Sequence, residues 1–144
     1  MIEDDTIKLL RECDAGVKMG ISSINEVLGE VKDQELSRIL KSSRDAHERL
    51  DGEVNQILQQ YQDEGKEPSA VAQGMSWMKT SMKMAMEKSD RTVADLMTDG
   101  CNMGIKSLRK YRNQYPAAEQ RVRDITDRLI ALEENMVTDM RTYL

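Results

Sequence analysis

The sequence predicts an all-α protein, an antiparallel four-helix bundle built from two duplicated helix pairs with a long crossover helix between them. Three observations carry this. The stretch Cys13-Asp14-Ala15-Gly16-Val17-Lys18-Met19-Gly20-Ile21-Ser22-Ser23-Ile24 returns as Met97-Thr98-Asp99-Gly100-Cys101-Asn102-Met103-Gly104-Ile105-Lys106-Ser107-Leu108. Gly16, Met19, Gly20, Ile21 and Ser23 are identical to Gly100, Met103, Gly104, Ile105 and Ser107, so one helical unit is used twice. Apolar residues recur at alternating spacings of three and four, which lines one face of a helix. Finally, 144 residues suffice for one domain with a core, and sparse Gly (8) and Pro (2) leave long helices unbroken. With 3% aromatics and no Phe, that core must be aliphatic and Met-rich.

Asp4, Asp5 and Thr6 offer N-cap oxygens for a first helix. Its stripe is Leu10, Cys13, Val17, Gly20/Ile21, Ile24, Leu28 and Val31. Asp33 restarts the chain after a very short turn, which makes the next helix a neighbour. The second stripe is Leu36, Leu40, Ser43, His47, Leu50, Val54, Ile57 and Tyr61, interrupted by the polar Ser43 and His47. Gln62 to Pro68 is polar and reads as a loop.

A crossover helix is expected over about 69–88, with Val71, Met75, Met78, Met82 and Ala85/Met86 on one face. About 20 residues at 1.5 Å each span ~30 Å, enough to carry the chain back along the bundle. Ser89 or Asp90 caps the next helix, with Val93, Leu96/Met97, Cys101, Gly104/Ile105 and Leu108 inward. Tyr115-Pro116 ends it, because Pro disfavours helix at the residue before it. The last helix rests on Val122, Ile125, Leu129, Leu132, Met136 and Met140. The domain plan is therefore one bundle over 1–144: a helix pair at about 5–62, the crossover, and a pair at about 90–143.

The formal charge of −5 speaks against nucleic acid as the main partner, since phosphate binding wants a basic face. No apolar run approaches the ~20 residues of a membrane span. The acidic start Met1-Ile2-Glu3-Asp4-Asp5-Thr6 does not read as a signal peptide. Two cysteines, Cys13 and Cys101, make no disulfide framework, so a cytoplasmic, reducing setting is expected. No nucleophile triad, phosphate loop or zinc spacing occurs, so no catalytic residues are expected and an enzyme is the less favoured class.

The layout resembles a rubrerythrin-related group of uncharacterised bacterial ferritin-like proteins. The residues carrying the resemblance are Ala15-Gly16-Val17 and Asp99-Gly100-Cys101, then Arg44-Asp45-Ala46-His47 and Arg123-Asp124-Ile125-Thr126. The resemblance implies carboxylates and imidazoles converging from four helices on a di-iron centre. Here Val17 and Cys101 stand at the helix Glu positions, Arg44 and Arg123 at the Glu of each Glu-x-x-His, and Thr126 at one His. Of six implied ligands only His47 remains. The expected protein is therefore a bundle with no cofactor and no functional di-iron centre, a binding or scaffold protein acting as a homodimer.

Two other functions stay open at this level. One is an oxidase, peroxidase or metal-handling protein with a site rebuilt around His47, using Asp51, Asp14 or Asp99, or a soft site of Cys101 with His47, Met103, Met19 and Cys13. If any metal binds, His47, Asp51 and Cys101 are its ligands. The other is a membrane-surface or partner-helix binder through the Met-rich segment. The plainer reading of His47 is a core histidine bonded to Ser43 or Asp51. Trp77 and Met84 lie off the Met stripe and mark the expected dimer interface. The pairs Gly16/Gly20 and Gly100/Gly104 read as close approach of the two duplicated helices.

Overall fold

The computed structural model describes residues 2–66 and 88–144. The crossover expected over 69–88, Lys88 apart, and the interface pair Trp77 and Met84 lie outside the described residues. The described residues are all helical, with four helices and no strand. Helix α1 spans Ile2–Leu28, α2 spans Gln34–Gln60, α3 spans Asp90–Gln114 and α4 spans Gln120–Met140, followed by a short 3₁₀ turn at Arg141–Tyr143.

Local chemistry sets the ends. Asp33 caps α2 by accepting the Leu36 N–H at 2.9 Å. Ser89 caps α3 by accepting the Thr92 N–H at 3.2 Å. Each cap satisfies a donor that a helix start leaves orphaned. Gln114 ends α3 just before Tyr115-Pro116, as the proline requires.

The expected capping by Asp5 and Thr6 is corrected. α1 begins at Ile2, and these two side chains serve α4 instead. Asp5 accepts the Ala117 N–H and Thr6 accepts the Glu119 N–H, both at 2.9 Å. Glu119, the N-cap residue, makes no side-chain cap of its own, and the Thr6 oxygen from α1 holds its backbone N–H.

The other half does the same in return. Asp90, at the start of α3, accepts the Lys32 and Asp33 N–H groups at 2.8 and 2.9 Å, at the start of α2. A tyrosine closes each exchange. Tyr61 past α2 donates to Glu119, and Tyr143 past α4 donates to Asp33 at 2.9 Å.

Along α1 and along α2 with the connection that follows it, the contacts run in opposite numerical order. Asn25 accepts from Arg44, Gly20 lies against His47, and Asp14 accepts from Lys66.

The apolar interior falls into two clusters. The first joins Leu9, Leu10, Cys13 and Val17 to Leu50, Val54, Leu108, Val122, Ile125 and Leu129. The second joins Ile24, Val27, Leu36 and Leu40 to Val93, Ala94, Met97, Cys101, Met136 and Met140. They fill opposite ends of the bundle. Burying this aliphatic surface is the main favourable term, at about 25 cal/mol per Å². The expectation of a centre made of hydrocarbon and sulfur is overturned, because Asp14, His47, Thr126 and Glu133 are buried as well.

Candidate functional site

Between the two apolar clusters lies a polar layer built on His47 and Glu133. Each stands fourteen residues beyond the N-cap residue of its helix, Asp33 and Glu119. They therefore face each other at the same height, with His47 Nε2 3.7 Å from Glu133 Oε1. That is longer than a good hydrogen bond, and among the described residues Nε2 has no hydrogen-bond partner.

The imidazole tautomer follows from its other nitrogen. Nδ1 lies 2.8 Å from the Ser43 carbonyl oxygen, and a carbonyl only accepts, so Nδ1 carries hydrogen. The choice left to the pair is whether a further proton sits on Nε2 or on the Glu133 carboxyl. Burial raises the Glu133 pKa, while its closeness to His47 pulls the other way. An isolated buried carboxylate would be costly, and this pairing offsets much of that cost.

Two glycines make room for the layer. A β-carbon on Gly20 would come 2.7 Å from the His47 ring, and one on Gly104 would collide with the Glu133 carboxyl. These are equivalent positions in the repeat. Gly16 and Gly100 differ: a β-carbon on Gly16 would make ordinary contacts at 3.7 Å and beyond, and one on Gly100 would meet nothing within 4 Å among the described residues. Gly20 and Gly104 thus accommodate side chains from the second helix of each pair, which corrects the expected close approach of the two duplicated helices.

A second polar cluster lies along α1 and α2. Asp14 is fully buried, and its Oδ2 accepts the Lys18 ammonium and the Lys66 N–H, each at 3.0 Å. Asp51 of α2 lies close enough to feel the Asp14 carboxyl. Burial raises the Asp51 pKa from 3.8 to about 6; Asp14 adds to the rise, and Lys18 and Asn55 reduce it. Gly65, at φ +81°, turns the chain above this pair; a β-carbon there would strike Asp14.

Both thiols are free and buried. Burial pushes Cys13 up to about 12, against a 3.2 Å contact with Thr126 Oγ1 that lowers it. Burial raises Cys101 too, with the Glu133 charge adding to it. Neither is poised as a nucleophile.

The candidate ligands His47, Asp51 and Cys101 are therefore divided. Asp51 joins Asp14, His47 joins Glu133, and Cys101 feels the Glu133 charge from the apolar wall. Of the two neighbours expected for His47, Ser43 is the one found. Met103 is 70% exposed, which removes it from any soft site with Cys101. Arg44 donates to Asn25 at 3.1 Å at the surface.

Among the described residues, no group of three or more His, Cys, Asp or Glu side chains is placed to hold a metal ion. Two donors opposed to each other do not fit a di-iron group. Two open surface depressions, one along Lys18, Ile21, Ser22, Asn25 and Glu26 and one around Val31 to Lys41, are lined by neither His47 nor Glu133. Among the described residues, no helix is long and apolar enough to cross a membrane.

Sequence reasoning missed Glu133. It put Leu132 on the inward stripe and matched His47 to Thr126, two turns early. Leu132 is only partly buried, while Glu133 is 5% exposed. The signal was present, since Leu129, Glu133, Met136 and Met140 keep the four-three-four spacing of Ser43, His47, Leu50 and Val54.

Comparison with protein-family models, with curated proteins and with solved structures gave no match.

Proposed function

We propose that the chain is an antiparallel ferritin-like bundle of two duplicated helix pairs, without a functional di-iron centre, acting as a homodimeric binding or scaffold protein. The observation that carries this is the content of the central layer. Where the resemblance implies ligands from all four helices, the first helix of each pair supplies Val17 and Cys101, and the second supplies His47 and Glu133. The two polar groups face each other at 3.7 Å.

The reciprocal capping supports the duplication. Thr6 and Asp90 occupy equivalent positions in the repeat, and each caps the second helix of the other pair. The opposite numerical order of contacts between α1 and α2 supports the antiparallel arrangement. The dimer face is Trp77 with Met84, a reading from the sequence.

A metal-handling reading would draw on His47 Nε2, which is buried and has no hydrogen-bond partner. Among the described residues Glu133 is the one carboxylate set against it, which gives a metal too few donors there.

Light scattering across a concentration series tests the dimer. The wild type runs at twice the chain mass, and Trp77→Ala shifts it to one. A wild type that stays monomeric at all concentrations, or a Trp77→Ala dimer unchanged on dilution, removes the scaffold reading in this form.

A further inference from the structure

We draw no further inference here: the strongest candidate, the surface depression along α1 lined by Lys18, Ile21, Ser22, Asn25 and Glu26, carries nothing because no feature among the described residues shows what covers it.

Discussion

A β-carbon on Gly20 would come 2.7 Å from the His47 ring, closer than real β-carbons approach. The ring cannot swing away cheaply, because it is buried and its Nδ1–H is held by the Ser43 carbonyl. Gly20→Ala should therefore destabilise by about 1–3 kcal/mol, the usual cost of overpacking. Gly100→Ala should stabilise by up to about 1 kcal/mol, because it meets nothing among the described residues and gains helix propensity. Urea unfolding of both variants checks this, and equal signs at the two positions would refute the assigned roles.

The His47–Glu133 pair should behave as one unit. Glu133→Ala leaves the imidazole without its counterpart and should cost about 2–4 kcal/mol, whereas Glu133→Gln, of the same shape, should cost less. A double-mutant cycle with His47→Ala should show coupling of about 1–3 kcal/mol. Additive losses would mean that the two groups do not sense each other.

Asp51 gives stability a pH dependence whose sign is fixed. Its pKa rises from 3.8 towards about 6 on folding, mainly by burial and then by Asp14. Between those values the folded chain holds more protons than the unfolded one, so stability falls as pH rises. This group's contribution is complete below about 4 and lost above about 6. The urea midpoint of Asp51→Asn should gain on the wild type over that interval and stay level beyond it. A constant difference across pH 4–8 would contradict the assignment.

Both thiols should resist modification in the folded state. Burial raises each, and among the described residues neither has a cationic neighbour to stabilise a thiolate. With an aromatic disulfide reagent at pH 8, Cys13 and Cys101 should react only as fast as the chain opens, and fully in denaturant. Rapid native labelling of either would place it at the surface.

The legible part of the fold was the part set by period and punctuation. Leu36 to Tyr61 and Val93 to Leu108 keep a helical stripe, and Asp33, Ser89 and Pro116 mark ends by local chemistry. What escaped depended on partners distant in sequence. Asp5 and Thr6 look like local caps, yet their bonds go to Ala117 and Glu119. Glu133 looks like a surface acid until the helix start is placed, because a residue's face depends on a count from Glu119. The Asp14–Asp51 pair needed two helices and the Gly65 turn together. Gly20 and Gly104 were visible as a repeat, but not the side chains they make room for.

Metal content measured on protein purified without added metal tests the central claim most directly. The His47–Glu133 layer predicts no stoichiometric iron or manganese, and none taken up on incubation with Fe²⁺ or Mn²⁺. About two ions per chain, the load of a four-helix di-metal centre, would contradict it.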